Sequence, residues 1–336
     1  MKKLSVFLLA GLLLAGSAFG DLVKKSKSEI TFKKFGTYTT ALTEKISAER
    51  KGTESEGNFK GKGLVSSLAG KALLRSGRFG EIIDLPQMTV TSLDFKRKEY
   101  QVRPIQPIPQ QTGQETAGRT AQQEKPEEKD IKIIRSEFKV RKAGENKTIN
   151  QFSCEKYAIT WLVEWENTKT KEKGTERLNT DVWTTALTAD LKAGREVEFA
   201  FGRDYFKKLG MSGDVDQQEF LGLNWLTILS SLDVTGSRPH LQAANTASEL
   251  KKIQGYPVVV DGKYFTEVQG GAEQPAQEEE SGGGILGKLA KGVLDRKSED
   301  DSSQPVLAFY TEVLEANRTD LGPADFQAPA NFKEKK

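Results

Sequence analysis

The chain has 336 residues, of which 36% are hydrophobic and 29% are charged, and its 50 Lys and Arg against 47 Asp and Glu give a net charge of +3. This length suits one large domain or two small ones, and a core of that size needs no disulfides, which fits the single cysteine. The near-neutral balance gives no general electrostatic drive toward nucleic acid, so we expect no nucleic-acid partner.

The N-terminal residues have the pattern of a secretory signal peptide (1–20). Two lysines precede the apolar run 4–14, and small residues lead to a cleavage site between Gly20 and Asp21. The apolar run is shorter than the roughly 20 residues that span a bilayer, and Ser17 stands where a lipid-modified cysteine would. We therefore predict a periplasmic or secreted protein without a lipid anchor, whose net charge falls to +1 when Lys2 and Lys3 are removed with the leader.

The first part of the mature chain is predicted to be rich in strands. Apolar residues alternate with polar ones from Glu29 to Glu49, which is typical of strands with one buried face. Gly52 and Gly57 then indicate a loop, and the segment 63–75 has apolar residues at helical spacing. Residues 80–105 follow as three further strands, the last two joined by a "KRK" hairpin turn.

Two segments are predicted to be disordered insertions in a single domain that spans 21–336. Residues 104–129 and 271–284 are rich in Pro, Gln, Glu and Gly, and they offer too little apolar surface to offset the entropy of ordering them. Between these insertions the strand pattern resumes at Ile131, and a loop is expected at 143–150.

The strand that follows this loop has an unusually aromatic face. In "FSCEKYAITWLVEW", Tyr157, Trp161 and Trp165 share one side with aliphatic residues, while Cys154 and Lys156 lie on the other. A reactive thiol needs a base or a cation beside it, and the expected role of Cys154 is that of a small residue on the second face. The aromatic side could cover the protein's own helices or a bound molecule.

From Asp181 to Ile253 the apolar period becomes helical, and three helices are predicted, the first ending at a Gly210 cap. Trp183 and Trp225 belong to this block. Two strands, "YPVVVDGKYFTEVQ" and "PVLAFYTEVLEA", complete the chain. Strands, then helices, then strands indicate an α+β protein with an antiparallel sheet.

The sequence shows no pattern that carries catalysis, metal binding or a cofactor. Its one histidine, His240, cannot build a His-rich metal site, and no G-x-S-x-G motif is present. Asp214 and Asp216 lack the rest of a calcium loop, and helix capping is their expected role. We therefore expect a protein that is not an enzyme and that uses no cofactor, while a hydrolase with two carboxylates stays open as a weaker alternative.

The stretch 78–105 resembles a hairpin series in a family of exported bacterial proteins of unknown function, which is considered similar to the LolA/LolB-type lipoprotein carriers. Four further motifs follow in the family's order, namely "KTINQFSCEKYAITW" (147–161), "DVWTTALT" (181–188), "GYPVVV" (255–260) and "DFQAPANF" (325–332). The resemblance implies a curved antiparallel sheet, a half-barrel of LolA type, partly wrapped around helices and enclosing a hydrophobic concavity. The chain departs from the family pattern where Gln151 replaces a common Gly and where 78–105 lacks the usual Trp. No catalytic residue carries over, because none is established for that family.

These observations predict an exported binding protein that holds a lipid, a lipoprotein or another hydrophobic ligand between sheet and helices. The residues expected to contact this ligand are Tyr157, Trp161, Trp165, Trp183 and Trp225. The alternative is a structural or envelope-interaction protein whose core is filled by its own side chains. Two short amphipathic helices, at 63–75 and 285–296, are expected either to pack on the sheet or to make weak contact with a membrane surface. Their predicted membrane-contact residues are Leu64, Leu68, Leu286 and Leu289.

Overall fold

The computed structural model describes residues 20–63, 76–107, 131–210, 246–269 and 303–335. These residues form one large antiparallel-dominated sheet with few helices. The strands are β1 (Asp21–Phe32), β2 (Gly36–Ile46), β3 (Arg50–Gly61), β4 (Gly77–Asp84), β5 (Thr89–Asp94), β6 (Glu99–Pro104), β7 (Ile131–Ile149), β8 (Phe152–Asn167), β9 (Lys173–Thr185), β10 (Tyr256–Gln269), β11 (Leu307–Thr319) and β12 (Lys333–Glu334).

The strands follow the order β12-β6-β5-β4-β3-β2-β1-β11-β10-β9-β8-β7, so the sheet is open, with β12 and β7 at its edges. Every pair is antiparallel except β12 and β6, which run parallel. The antiparallel sheet predicted from the sequence is therefore confirmed.

The described helices are α1 (Ala189–Lys208), α2 (Thr246–Leu250) and a 3₁₀ helix (Pro323–Phe326). At the start of α1, the Thr188 hydroxyl accepts a hydrogen bond from the Leu191 amide at 3.3 Å, which satisfies one of the free N–H groups of the first turn. The helix ends at Leu209, and Gly210 follows with a φ of 74°. Gly210 therefore takes the left-handed conformation that the sequence predicts for a cap.

The sheet has two faces, and α1 packs on one of them, which we call the α1 face. Residues paired directly across strands share a face, so Leu22 lies beside Ile46, and Ile83 lies beside Val90. These apolar side chains form a core cluster with Val197 and Phe201 of α1. The other side of the sheet is the opposite face.

Four local predictions were wrong. Pro104 ends β6 and Ile105 is buried in the core, although both belong to the predicted disordered segment 104–129. Gly52 and Gly57 lie inside β3 and form no loop. Residues 143–149, expected in a loop, continue β7, which has an irregular register between Lys142 and Asn146. The predicted helical block begins too early, because β9 runs to Thr185 and the helix starts only at Ala189.

Several predictions fall on residues outside the described ranges. They are the signal peptide to residue 19, the amphipathic helices with Leu64, Leu68, Leu286 and Leu289, the segment with Asp214, Asp216, Trp225 and His240, and the insertions from residue 108 to 129 and from 271 to 284.

Candidate hydrophobic binding face

Tyr157, Trp161 and Trp165 lie together on the α1 face, as their spacing predicts. They belong to one buried cluster, and each exposes 7% of its surface or less. We call this part of the face the aromatic floor. It is completed by residues of the neighbouring strands, which are Phe138, Leu178, Val182, Tyr264 and Phe309.

Two rings of the floor lie over glycines of the neighbouring strand. Trp165 pairs with Gly174, and a Cβ on that glycine would lie 2.2 Å from the indole ring. Phe309 pairs with Gly262 in the same way, with 2.0 Å to a Cβ at that position. Real Cβ atoms essentially never approach so closely. These rings therefore lie across the sheet, where the glycines leave room for them.

Part of the cover over the floor comes from the segment around α2. Ile253 belongs to the floor's cluster, and Leu250 packs against it. The carboxylate of Glu249 accepts a hydrogen bond from the Val140 amide at 2.8 Å. Since Val140 lies on the edge strand β7, this bond attaches α2 to the edge of the sheet. The sequence predicts that the aromatic strand packs against the 181–253 block, and Leu250 and Ile253 of that block do pack against it.

The floor contains buried polar groups as well as rings. Glu176 is 3% exposed, and its carboxylate accepts a hydrogen bond from the Tyr264 hydroxyl at 2.9 Å. Four other buried polar atoms among the described residues have no hydrogen-bond partner, namely Trp161 Nε1, Trp165 Nε1, Thr180 Oγ1 and Thr184 Oγ1. Their residues all lie on the α1 face, since Thr180 pairs with Ile159 and Thr184 with Glu155.

At the α1 end of the floor, the Tyr157 hydroxyl donates to Glu155 at 2.8 Å. Burial, together with this carboxylate, raises the pKa of Tyr157 above its usual value. The pKa of Glu155 is lowered by its hydrogen bonds to Lys142 and Tyr157. Tyr157 is therefore neutral at physiological pH, as a donor to a carboxylate requires.

A cleft of about 190 Å³ lies at the sheet end beside Trp165, but most of its lining belongs to the opposite face, since Glu164 pairs with Thr175 and Thr175 with Glu267. This volume is below the roughly 300 Å³ at which pockets for drug-sized ligands begin. The cleft is lined by Ile134, Glu164, Trp165, Lys173, Gly174, Thr175, Glu267 and Gln269. On its own it would hold only a small part of a lipid.

Trp183 does not join the floor, contrary to its predicted place in the ligand site. It pairs with Lys156, which puts its side chain on the opposite face from Tyr157 and Val182. There the ammonium group of Lys147 lies 4.0 Å from the centre of the indole ring, an arrangement that favours a cation–π contact. Trp183 is buried in a separate cluster, which includes Phe152 and, from the first turn of α1, Leu191.

Cys154 belongs to that same cluster and is 2% exposed. It is a free thiol, and burial raises its pKa to about 11. A thiol in this state is a poor nucleophile at neutral pH. The expectation that Cys154 is a small packed residue on the second face is confirmed.

A buried ion network beneath α1 was not foreseen from the sequence. The Lys24 ammonium group contacts the Glu44 carboxylate at 2.9 Å and also bonds to Glu198 of α1. Lys51 completes the network at 2.8 Å from Glu44. Burial raises the pKa of Glu44, but the two lysines outweigh this effect and hold it at about 2. Lys24, Glu44 and Lys51 come from the three consecutive strands β1, β2 and β3, whereas Glu198 comes from α1 far along the chain, so no local pattern marks the whole network.

Within the described ranges, no group of three or more His, Cys, Asp or Glu side chains is arranged to hold a metal ion. None of the helices in this part of the chain combines the length and apolarity needed to cross a membrane.

No family model matches the chain, and neither does any curated protein. Among solved structures, a LolA superfamily protein from Nitrosomonas europaea is similar over 92% of this chain and 91% of that chain, with 6% sequence identity and a TM-score of 0.22. A likeness of this strength supports no conclusion about fold or function. The family resemblance drawn from the sequence motifs therefore stays a prediction.

Proposed function

We propose that this chain is an exported, non-enzymatic protein that binds a lipid or another hydrophobic group on the aromatic floor, between a LolA-like sheet and its helices. The observation that carries the proposal is the floor itself, where rings laid across Gly174 and Gly262 stand beside the unpartnered N–H groups of Trp161 and Trp165. A buried donor without an acceptor costs about 1–3 kcal/mol. An amphiphile with an ester or carboxylate oxygen would supply that acceptor along with apolar surface.

The absence of an enzymatic role is part of this proposal. The α1 face of β8 and β9 carries two carboxylates near the floor, Glu155 and Glu176, and each accepts a hydrogen bond from a tyrosine. Glu155 pairs with Thr184, which is eight residues from Glu176 along β9, or about 27 Å at the rise of a strand. Glycosidases need their two carboxyl groups about 5–9.5 Å apart, so these two cannot act as such a pair.

The second candidate is a structural or envelope-interaction protein without a ligand. The low exposure of Tyr157, Trp161 and Trp165 favours it. The two candidates differ in whether the floor accepts a molecule in solution.

Native mass spectrometry of protein purified from the periplasm, followed by titration with a brominated fatty acid, tests the proposal. Bromine quenches tryptophan fluorescence only at short range, so a ligand on the floor quenches Trp161 and Trp165. The matched control is Trp183→Phe, because Trp183 is also buried but lies on the opposite face. We expect strong quenching in wild type and Trp183→Phe and weaker quenching in Trp161→Phe/Trp165→Phe. Clean apo protein without quenching would favour the filled core.

The proposed compartment is the periplasm or the exterior of the cell. Cleavage between Gly20 and Asp21 should give a mature N-terminus at Asp21, and radioactive palmitate should leave the protein unlabelled. Weak contact with a membrane surface is proposed only from the amphipathic sequence around Leu286 and Leu289. The double variant Leu286→Ser/Leu289→Ser should no longer sediment with anionic vesicles at low salt. Equal sedimentation of the wild type and this variant would refute the contact.

A further inference from the structure

The segment that follows β11 crosses the opposite face of the sheet. It leaves β11 at Thr319, and the Leu321 amide donates to the Asp21 carboxylate at 3.0 Å. The 3₁₀ helix Pro323–Phe326 comes next, and the Asp325 carboxylate contacts the Lys45 ammonium group at 2.7 Å. We call residues 320–335 the strap. It runs from the start of β1 to the far edge of the sheet, where β12 pairs with β6.

Two phenylalanines of the strap, six residues apart, pack on an apolar patch of the sheet. Phe326 is 8% exposed and belongs to a small core with Ile82 and Leu93. Phe332 meets Phe95 edge to face, with the ring centres 5.3 Å apart. Ile83 belongs to the α1 cluster, and neighbouring residues of a strand point to opposite faces. Ile82, and with it this patch, therefore lies on the side of the sheet away from α1. We call the patch, together with the β6 edge, the seat.

At its end the strap adds a parallel strand to the β6 edge. The Lys333 amide donates to the Lys98 carbonyl at 2.9 Å, and the Lys335 amide donates to the Tyr100 carbonyl at 2.7 Å. These bonds cover carbonyl acceptors that the edge of the sheet would otherwise present to other chains. Val102, further along β6, stays 42% exposed. The seat therefore binds the strap as a sheet edge binds an added strand, through backbone pairing and pockets for side chains.

The strap is attached weakly compared with the rest of the sheet. Phe326 is its one residue in the buried class, and β12 has only two residues. The ion pair of Lys45 with Asp325 is more than one-third exposed on both sides, and such pairs contribute little. Segments with few buried contacts open without global unfolding.

We propose that residues 320–335 form a releasable strap, and that the vacated seat takes the same segment of a second copy of this chain. The occupant is fixed by the structure, because the seat fits the two phenylalanines and the terminal strand of this sequence. Exchange of an identical segment makes the same contacts in trans as in cis, so it costs little beyond the loss of the intramolecular link. The inference concerns the opposite face and does not depend on ligand binding at the floor.

Disulfide trapping in the full-length chain tests this exchange. Lys333 pairs directly with Glu99, and directly paired strand residues lie at distances that a disulfide can bridge. Glu99→Cys and Lys333→Cys are made as separate proteins, mixed and oxidised. The native Cys154 does not interfere, because it is buried and its pKa is about 11. The matched control mixes Glu29→Cys with Thr39→Cys, which are directly paired between β1 and β2.

We expect a disulfide-linked heterodimer from the first mixture and none from the control. Phe326→Ala in the Glu99→Cys protein should raise the rate of dimer formation by about tenfold or more, because it weakens that protein's own strap and frees its seat for the intact strap of the Lys333→Cys protein. As a second measurement on the wild type, the amides of Lys333 and Lys335 should exchange hydrogen faster than those of β1.

Failure to form the heterodimer would overturn the proposal if the double variant Glu99→Cys/Lys333→Cys closes its own disulfide. Exchange of the Lys333 and Lys335 amides at the rate of global unfolding would overturn it as well, since the strap would then open only with the whole sheet.

Discussion

Replacing Lys24 by Met should destabilise the fold strongly, because it removes a buried cation that contacts two carboxylates. Lys24 lies between Glu44 and Glu198, which ties α1 to β1 and β2. Its side chain is 14% exposed, and that of Glu44 is 9% exposed. Methionine keeps most of the volume and removes the cation. Two carboxylates then stay near the interface, with only Lys51 to balance Glu44.

The magnitude follows from the pKa of Glu44. It falls from the ordinary 4.5 to about 2 in the folded protein, and a shift of this size corresponds to about 3 kcal/mol of stabilisation at neutral pH. Removal of one partner of a buried ion pair costs a similar amount, about 3–5 kcal/mol. Lys51 shares in the depression of this pKa, but Lys24→Met also removes the ion pair with Glu198, so we expect a total loss of about 3 kcal/mol. This corresponds to roughly 6–12 °C in melting temperature for a protein of this size.

The lowered pKa of Glu44 also predicts how the stability loss of Lys24→Met depends on pH. Because the pKa of Glu44 is depressed on folding, its contribution is complete above pH 4.5 and is lost as the pH falls toward 2. The free energy of unfolding of wild type and Lys24→Met should therefore differ most at pH 7 and converge between pH 4.5 and 2. Urea titrations over this range measure the difference, and Lys25→Met, whose ion pair with Glu315 is exposed, serves as the control. A loss below about 1 kcal/mol at pH 7, within the range of a surface pair, would refute the reasoning.

Gly174→Ala should destabilise the protein by about 1–3 kcal/mol, because its Cβ would meet the Trp165 ring at 2.2 Å. Gly322→Ala, where a Cβ would meet nothing within 4 Å, should change the urea midpoint little, and equal effects of the two variants would speak against the ring's position. Cys154 should react with iodoacetamide at pH 8 about 100-fold more slowly than a free thiol, because its pKa is about 11. It should react normally in denaturant, and fast labelling of the native protein would show that the thiol is not buried.

The strands around the aromatic floor could be predicted because a period of two is a local signal. Tyr157, Trp161 and Trp165 lie at even intervals, and the structure keeps all three on one face. The hairpin between β5 and β6 was equally accessible, since "KRK" interrupts two alternating runs and Lys98 takes a positive φ of 56°. Both features depend on a few neighbouring residues.

The glycines misled the prediction because a glycine in a strand need not mark a turn. Gly52 sits in the middle of β3, where an added Cβ would make ordinary van der Waals contact, 3.7 Å from Phe326 in the strap. Gly174 and Gly262 leave room for rings of the neighbouring strands. A glycine that makes space for a partner far along the chain has the same local sequence as a glycine in a turn.

Trp183 shows the same limit for the candidate site. Near the end of β9, residues 182–185 are all buried, so hydrophobicity does not say which side of the strand faces the floor. The pairing of Trp183 with Lys156 decides it, and that pairing depends on the register of two strands. The sequence could therefore indicate the tryptophans as core residues, but it could not divide them between the two faces.

This division between faces also separates the two proposals. The floor and the buried ion network lie on the α1 face, whereas Trp183 and the strap's seat lie on the other. Only one layer of strands stands between them, yet residues on opposite faces of a strand share no side-chain contacts. Changes at Phe326 should therefore leave quenching of Trp161 and Trp165 intact, and changes at the two tryptophans should leave strap exchange intact. If a change on one face altered both quenching and strap exchange, the variant would have lowered the global stability of the sheet.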